Sequence, residues 1–463
     1  MAASAARKRI WGWMSFDIAS QPFYTLLLTF VFGPYFAAVA TAAFMAEGLS
    51  ETVADSRAQS LWSLGQTVTG LIIAFSAPLL GAFADTTGRR MPWIVVFSGL
   101  YVCGTWALWW TVPDGSTLWL ALIAFGIGMI GAEFTTIFTN AILPSLGDDE
   151  DVGRISGTGM AVGYAGGVTA LAIMLLLFSE NETGRTLIGL EPALGLDPEA
   201  REGTRFVGPF TALWFVAFMV PFFLWVKEPP APAQTGGMGR ALADLKRSLG
   251  SILKRPSLAA YLGSSMLYRD ALNALYAFGG VYATLVLNWS IIQIGIFGII
   301  GAVTSAICTW LGGKVDAKIG PKPVIKACIL VLTAVCVVIV GMSRESLLGI
   351  PLAPGSALPD IIFYVLGATI GATGGVIQSA SRSMMVRHAH PDRPTEAFGF
   401  YALSGKATAF LAPAMIGLVT YVSESPRIGV SPLIFLFLLG LVLLLWVKPD
   451  GDRAEQWSDT SSP

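Results

Sequence analysis

Long apolar stretches separated by short polar segments recur along the whole chain. Twelve of them are long enough to cross a bilayer as helices, each of which needs about 20 mainly apolar residues. We number these stretches spans 1 to 12 and predict them at residues 12–41, 61–83, 92–112, 117–143, 155–179, 206–227, 258–287, 291–312, 323–343, 359–385, 396–422 and 430–448. The pattern predicts an all-α membrane protein with twelve transmembrane helices.

Composition agrees with a membrane protein and excludes several other classes. Of the 463 residues, 54% are hydrophobic and 13% are charged, whereas soluble domains carry about 25% charged residues. A net charge of −1 argues against a nucleic-acid partner. The four cysteines all lie in apolar runs, and His388 and His390 are interpreted as part of a solvated loop. We therefore expect no disulfide framework, no metal and no cofactor.

Basic residues are distributed unevenly between the two sides of these spans. The side with the N-terminus receives 21 of the 29 Lys and Arg residues, the other side receives six, and two lie inside spans. Because loops rich in Lys and Arg stay in the cytoplasm, both termini are expected there. We expect an integral protein of the bacterial inner membrane, in contact with lipids and monomeric.

The chain divides into two similar halves. A charge-rich segment, 229–257, is interpreted as a cytoplasmic linker between a first bundle, 1–228, and a second bundle, 258–448, followed by a polar tail, 449–463. The loop 81–90 after span 2 is repeated as 312–322 after span 8, so that two aspartates, Asp85 and Asp316, lie 231 residues apart. An internal repeat explains this spacing better than two unrelated basic loops.

The repeated loops supply candidate gating residues. A glycine permits a tight turn or a close helix approach, and an aspartate at a helix end caps or pairs. We therefore assign gating to Asp85, Gly88, Arg90 and Asp316, and add Arg382 at the cytoplasmic mouth.

The repeated loop resembles the signature between helices 2 and 3 of the major facilitator superfamily. Five further segments resemble its vacuole-effluxer-like (autophagy-related permease) branch, at 140–144, 163–167, 267–270, 374–383 and 398–406. This resemblance implies two pseudo-symmetric six-helix bundles and solute transport. It also implies that spans 1, 4, 7 and 10, with 2, 5, 8 and 11, line a central cavity. Amino-acid release from vacuoles is attributed to fungal members of the branch.

Five ionisable residues lie well inside the spans, all on spans that the resemblance assigns to the cavity. An intramembrane charge costs at least about 2.5–3.5 kcal/mol at the bilayer centre, so each needs a partner or water. Arg269, Asp270 and Lys406 are predicted near the midplane, where they would bind a carboxylate or phosphate and an amine. The alternative is a structural salt bridge between Asp270 and Lys406. Asp17 and Glu133 are predicted proton carriers, or else cap a helix or pair with a loop arginine.

Neutral polar side chains cluster on the same spans. We predict that the following contact the substrate, with hydrogen bonding between helices as the alternative for each: Gln21, Tyr24, Tyr164, Tyr268, Asn273, Gln378 and Tyr401.

The function predicted from these features is secondary active transport by alternating access. The expected cargo is a small amphoteric or anionic metabolite, such as an amino acid. We expect its transport to be coupled to protons and to include efflux. A sugar, peptide, drug or lipid remains an alternative cargo, and a membrane assembly factor or sensor without transport remains an alternative function. An intramembrane enzyme is disfavoured because the spans contain no Ser/His/Asp or metal-ligand constellation.

Overall fold

The computed structural model describes residues 2–181, 183–228, 250, 255–289, 291–390, 392–423 and 425–451. Regular structure in these residues is helical apart from two short antiparallel strands, Ser346–Leu347 and Ile350–Pro351. The predicted all-α class is confirmed. Most of the predicted linker 229–257 and of the predicted tail 449–463 lies outside the described residues, and the domain boundaries stay predictions.

The helices follow the predicted order of spans. In the first half they are Ala2–Pro22, Phe23–Phe30 (a π-helix) and Phe32–Ala46 in span 1, Glu51–Thr87 in span 2, Met91–Ala107 and Leu108–Trp110 in span 3, Leu118–Asn140 and Leu143–Ser145 in span 4, Asp149–Ile173 and Met174–Phe178 (a π-helix) in span 5, Ala193–Gly195 in the following loop, and Glu202–Arg205 and Val207–Trp225 in span 6. In the second half they are Pro256–Leu287 in span 7, Ile291–Ile319 in span 8, Pro321–Gly341 in span 9, Leu358–His388 in span 10, Pro394–Ala407 and Leu411–Ser423 in span 11, and Pro426–Gly429 and Pro432–Leu445 in span 12.

Eleven helices in the described part of the chain are long and apolar enough to cross a membrane. The remaining predicted span, span 7, is a helix of 32 residues that contains Arg269 and Asp270. At 1.5 Å per residue it is about 48 Å long, which exceeds the thickness of a bilayer core. All twelve predicted spans therefore correspond to helices of sufficient length.

Glycine and proline set the turns of the repeated loops. Gly88 and Gly320 both adopt positive φ, at 66° and 81°, which residues with a Cβ rarely do. Proline follows directly at Pro321, the first residue of span 9, where its missing N–H costs nothing. Both loops thus reverse the chain tightly, as the repeat predicts.

Span 11 is interrupted, although its apolar run predicts one helix. Its two helices are separated by the turn 408–410. Pro413 explains the interruption because it cannot donate to the Ala409 carbonyl and its ring crowds the preceding turn.

The structure forms two compact units. Unit 1 contains Met1–Ser76, Thr87–Thr139 and Val162–Gln234, and unit 2 contains Ala77–Thr86, Asn140–Ala161 and Thr235–Pro463. Within unit 1, span 6 packs against spans 1 and 3, and within unit 2, span 12 packs against spans 7 and 9. The same pairings recur in each unit, which agrees with an internal repeat of six helices.

Span 1 changes its helical form in the middle of the membrane. Pro22 provides no N–H for the Ile18 carbonyl, and the π-helix begins at the next residue. Trp214 of span 6 donates its Nε1–H to that carbonyl at 2.9 Å. This bond satisfies a backbone group that lipid cannot solvate, and it fixes span 1 beside span 6.

We predict that Trp214→Phe lowers the free energy of unfolding by about 1–2 kcal/mol, because the Ile18 carbonyl loses its donor. In a Pro22→Ala background the loss should be smaller, since an alanine at position 22 supplies its own N–H. Denaturation of the purified protein in detergent measures both effects. Trp225→Phe, on the same span and 40% exposed, is the control. Equal losses in the two backgrounds would contradict this role of Trp214.

Candidate functional site

The predicted polar residues of the first half lie in unit 1 on spans 1, 4 and 5. The Tyr24 hydroxyl donates to Glu133 Oε1 at 3.3 Å, which joins spans 1 and 4. Asp17, Gln21 and Tyr164 are half-buried. Spans 1 and 4 thus meet through a hydrogen-bonded carboxyl group inside the membrane.

Glycines of span 5 bring that helix against the same face of span 1. A Cβ at Gly163 would lie 3.0 Å from the Asp17 carbonyl oxygen, and a Cβ at Gly167 would lie 2.7 Å from Gln21 Cγ. The spacing of four residues puts both glycines on one face of the helix. Small residues at such positions let two membrane helices approach closely.

In unit 2, the Arg269 side chain of span 7 lies against the first helix of span 11. Its Nη1 donates to the Tyr401 carbonyl at 3.0 Å, and its Cζ lies 4.2 Å from the centre of the Tyr401 ring. A Cβ at Gly405 would lie 2.6 Å from the same Cζ, so only glycine leaves room for the guanidinium. Backbone, ring and glycine together fix the orientation of Arg269.

Asp270, the next residue, contacts the second helix of span 11. It is 2% exposed, and its Oδ2 accepts from the Ala412 amide at 2.9 Å. Ala412 is the second residue of the helix Leu411–Ser423, whose first amides have no partner within the helix. Asp270 therefore caps this helix from another span. Its negative charge interacts favourably with the positive end of the helix dipole.

The described residues do not form the alternative salt bridge between Asp270 and Lys406. Among the described residues, the Asp270 carboxylate has the Ala412 amide as its hydrogen-bond partner, and Oδ1 is buried without one. Lys406 lies in the last turn of the helix Pro394–Ala407, where a cation is favourable to the helix dipole. Both charges therefore sit beside the interruption in span 11.

The remaining predicted substrate contacts do not form one cluster. Tyr268 is fully buried, and its hydroxyl lies 2.6 Å from Ser381 Oγ of span 10, a hydrogen bond between helices. Asn273 is exposed, Gln378 is half-buried, and Tyr401 contacts Arg269 as described above. Tyr401 contacts Arg269 directly, and Tyr268, which precedes Arg269 in the chain, interacts electrostatically with both residues.

The aspartate of the first repeated loop also caps span 11. Asp85 Oδ2 accepts from the Glu396 amide at 2.8 Å, and Oδ1 accepts from the Thr395 amide at 3.4 Å. These are the third and second residues of the helix Pro394–Ala407, whose own N-cap residue, Arg393, makes no side-chain cap. Gly399 and Gly81 let spans 2 and 11 approach, since added Cβ atoms would each lie 2.7 Å from backbone oxygens of the other helix.

The aspartate of the second loop lies at the equivalent place. Asp316 is 1% exposed, and a Cβ at Gly153 of span 5 would lie 2.8 Å from its Cγ. One turn further along, a Cβ at Gly157 would lie 2.5 Å from the Gly313 Cα. Each repeated loop thus packs an aspartate on the start of another span, span 11 or span 5, as the repeat predicts.

Arg382 is a buried residue of span 10, 5% exposed. Its Nε donates to Ser156 Oγ at 2.9 Å, its Nη2 to the Ser156 carbonyl at 2.7 Å, and its Nη1 to Asn140 Oδ1 at 3.3 Å. Ser156 in turn donates to the Ser379 carbonyl at 2.9 Å. Arg382 thereby binds span 10 to the end of span 4 and the start of span 5 within unit 2.

Glu228 is a functional candidate that sequence reasoning missed. Its Oε2 accepts from the amides of Arg90 and Met91 at 2.8 and 3.1 Å, and its Oε1 lies 3.3 Å from Arg90 Nη1. It caps the first turn of span 3 and orients Arg90 in unit 1. The only signal in the sequence was an acidic residue directly after span 6.

The predicted solvated loop is wrong for His388. This side chain is 1% exposed, its Nε2 lies 2.9 Å from Ser257 Oγ, and its Nδ1 lies 3.0 Å from the Met384 carbonyl. Its ring stacks on Tyr261, because span 10 continues as a helix to this residue. His390 lies beyond the helix, and burial lowers its pKa from the usual value. In the described residues, no group of three or more His, Cys, Asp or Glu side chains is placed to hold a metal ion.

We predict that Gly405→Ala displaces the Arg269 guanidinium and lowers the free energy of unfolding by about 1–3 kcal/mol, the usual cost of overpacking. Gly417→Ala on the same span is the control, because nothing lies within 4 Å of a Cβ there. Thermal unfolding of both variants in detergent measures the difference. A Gly405→Ala protein as stable as the control would mean that Arg269 is not fixed by this contact.

Comparison with known proteins agrees with this architecture. The sequence model of the family described as vacuole effluxer Atg22-like matches residues 5–456. An uncharacterised MFS-type transporter of Bacillus subtilis, YxiO, is 23% identical over 96% of this chain and 97% of its own length. Autophagy-related protein 22 of Cryptococcus neoformans is 23% identical over 66% of this chain, and the match covers 53% of that longer protein.

The fold itself is shared with solved transporters. The structure of the major facilitator proton:xylose symporter XylE superposes with a TM-score of 0.70 at 14% identity, covering 99% of this chain and 98% of that one. The fold is therefore the major facilitator fold that the resemblance implies. The family model matches nearly the whole length of this chain. The chain therefore belongs to the vacuole effluxer Atg22-like family of major facilitator transporters, which are not enzymes.

Proposed function

We propose that this protein is a secondary active transporter that moves a small amphoteric or anionic metabolite, an amino acid or a related solute, by alternating access. We place it in a bacterial inner membrane with both termini in the cytoplasm. The observation that carries the proposal is the oriented Arg269 guanidinium beside the interruption in span 11. Interrupted helices with charged side chains are where transporters of repeat-built folds bind their substrates.

The chemistry of this site suits a substrate that carries a carboxylate. Arginine is always charged, and its planar fork matches carboxylate or phosphate geometry. Lys406 adds a second positive charge at the end of the first helix of span 11. We assign the ammonium of an amphoteric substrate to Asp270 Oδ1, the buried oxygen that the Ala412 amide leaves unused.

Asp17 and Glu133 are the carboxyl groups that we assign to proton coupling. The donor to Glu133 is the Tyr24 hydroxyl at 3.3 Å. A hydroxyl donates to a carboxylate and accepts from a protonated carboxyl, so this contact survives either protonation state. That property is required of a group that loads and releases a proton during each cycle.

We assign gating to Asp85, Gly88, Arg90, Asp316 and Arg382. Three of these side chains, Asp85, Asp316 and Arg382, pack within unit 2 on the beginnings of spans 11 and 5. Asp85 accepts hydrogen bonds from the first amides of span 11, Arg382 donates to Ser156 and Asn140, and Asp316 packs against Gly153. Such contacts have two discrete states, made or broken, which alternating access requires.

The substrate proposal predicts that a carboxylate-bearing compound stabilises the protein through Arg269. Purified protein is screened by thermal shift against amino acids, peptides, sugars and lipids; a ligand at a hundredfold its dissociation constant stabilises by about 2.7 kcal/mol. Arg269→Lys should weaken the amino-acid hit at least about tenfold while the fold persists, because it keeps the charge but loses the fork. Arg427→Lys is the matched control.

Proteoliposomes then test movement of the same compound by counterflow. A hit whose affinity is equal in the wild type, Arg269→Lys and Arg427→Lys would overturn the assigned site. Binding without any counterflow would favour the sensor or assembly factor over the transporter.

The gating proposal predicts that Asp85→Asn loosens the start of span 11. Losing the charge of the cap should lower the free energy of unfolding by about 1 kcal/mol. Asparagine still accepts a hydrogen bond, but it carries no negative charge to interact with the positive end of the helix dipole. A cysteine introduced at Ser379, which is 1% exposed, reports opening by its rate of reaction with a maleimide in a background without the four native cysteines. The rate should rise several-fold with Asp85→Asn and stay constant with Asp392→Asn. An unchanged rate would refute the gating role of Asp85.

A further inference from the structure

Unit 1 contains a cleft at the opposite end of span 1 from its N-terminus. It has a volume of about 230 Å³ and is lined by Phe30, Val31, Pro34, Tyr35, Ala38, Ser179, Arg201 and Thr204. The cleft begins six residues after Tyr24, which contacts Glu133, at about 9 Å along the helix axis. It is therefore separate from the groups assigned above to transport, and it faces the outer side in the predicted orientation.

Arg201 is held in place at this cleft by a buried carboxylate. Its Nε lies 3.1 Å from Glu180 Oε1, and the side chains of the pair are 35% and 0% exposed. Glu180 also accepts from the Thr204 hydroxyl at 2.6 Å and from the Thr204 amide at 3.1 Å. Gly203 leaves the space for this carboxylate, since a Cβ there would overlap Glu180 Oε2. Both carboxylate oxygens of Glu180 thus have partners, and Glu180 fixes the position of the Arg201 side chain.

The two terminal nitrogens of Arg201 are not used by this anchor. In the part of the chain that the structure describes, they donate no hydrogen bond, and Arg201 is one of the residues that line the cleft. The neighbouring Arg205 differs, because its Nε and Nη1 donate to the carbonyls of Trp109 and Ala200. The backbone of Arg201 is also in the left-handed region, with φ at 55°, a conformation that residues with a Cβ rarely adopt. Arg201 thus lines the cleft with its Nε anchored and its two terminal nitrogens unused by the described residues.

The wall facing Arg201 is apolar. Phe30, Val31, Pro34 and Ala38 come from one face of span 1, and the Tyr35 hydroxyl is already committed to the Thr111 carbonyl at 2.8 Å. The Ser179 hydroxyl lies 3.3 Å from Thr204 Oγ1, at the polar end. The cleft thus combines one cationic end with an apolar surface large enough for a few carbon atoms.

We propose that this cleft is a binding site for a small organic anion, a carboxylate with a short apolar tail, held by the Arg201 fork. Two parallel N–H···O bonds from Arg201 match the two oxygens of a carboxylate. The tail packs on the side chains of span 1. This site stands apart from the proposed substrate site at Arg269 and does not depend on it.

Isovalerate is the probe, and isovaleramide is its neutral isostere. A cysteine introduced at Ala38, in a background without the native cysteines, reacts with N-ethylmaleimide in the detergent-solubilised full chain. Isovalerate should slow this reaction at least about tenfold at saturation, and isovaleramide should not. Arg201→Gln should abolish the protection, and Arg201→Lys should weaken it about tenfold, since lysine keeps the charge without the fork.

Three controls make the result specific. Arg185→Gln, an exposed arginine of the same loop that donates to the Gly189 carbonyl, should leave protection unchanged. Ala38→Leu, which fills the cleft without touching the Glu180 pair, should block binding of isovalerate measured by saturation-transfer NMR. Arg269→Lys should leave protection at Ala38 intact, so that this site and the transport site succeed or fail separately.

Three results would overturn the proposal. They are equal protection by isovaleramide, persistence of protection in Arg201→Gln, and protection by a short-chain phosphatidate at lower concentration than isovalerate. The last result would assign the cleft to membrane lipid.

Discussion

The hydrogen bond from the Ala412 amide to the Asp270 carboxylate holds together span 7 and the second helix of the interrupted span 11, where the proposed substrate site lies. Pro413 prevents span 11 from continuing as one helix, so a second helix must begin inside the membrane with unpaired amides. Lipid offers no partner for such groups, and a buried carboxylate from another span supplies one at 2.9 Å. The interruption supplies a partner for the buried carboxylate, and the carboxylate supplies a partner for an amide that the interruption leaves open.

The same bond has a geometric consequence for its neighbour. Because Asp270 is tied to the second helix of span 11, the adjacent Arg269 is brought to the first helix, where Tyr401 and Gly405 receive it. Asp85 caps the other end of that first helix. Span 11 therefore carries an aspartate of span 2 at its beginning and an aspartate of span 7 at its middle. The helix Pro394–Ala407 therefore lies between the proposed gate and the proposed substrate site.

Close packing of small residues supports this arrangement in both units. Gly163 and Gly167 set span 5 on span 1, whereas Gly157 and Gly313 set span 5 on span 8. Without a hydrophobic force between helices in lipid, such contacts rely on van der Waals packing and hydrogen bonds. Polar side chains add hydrogen bonds where the backbone is irregular. Trp214 donates to the Ile18 carbonyl, and Glu228 accepts from an amide at the start of span 3. Conformational change in this fold has to proceed by exchange of discrete contacts of this kind.

The sequence by itself determined the twelve spans, the all-α class and the tight turns at Gly88 and Gly320. Each of these follows from local properties, namely apolar length, helical spacing and the φ angles open to glycine. It also made Arg269 and Asp270 candidates for a functional role, because charges inside a membrane are costly. Tertiary structure alone decided their partners. That Asp270 caps Ala412 rather than pairing with Lys406, that Glu228 orients Arg90 and that His388 is buried depend on residues up to 142 positions apart. Such pairings are fixed by how helices pack, and nothing in the local pattern of a single span encodes them.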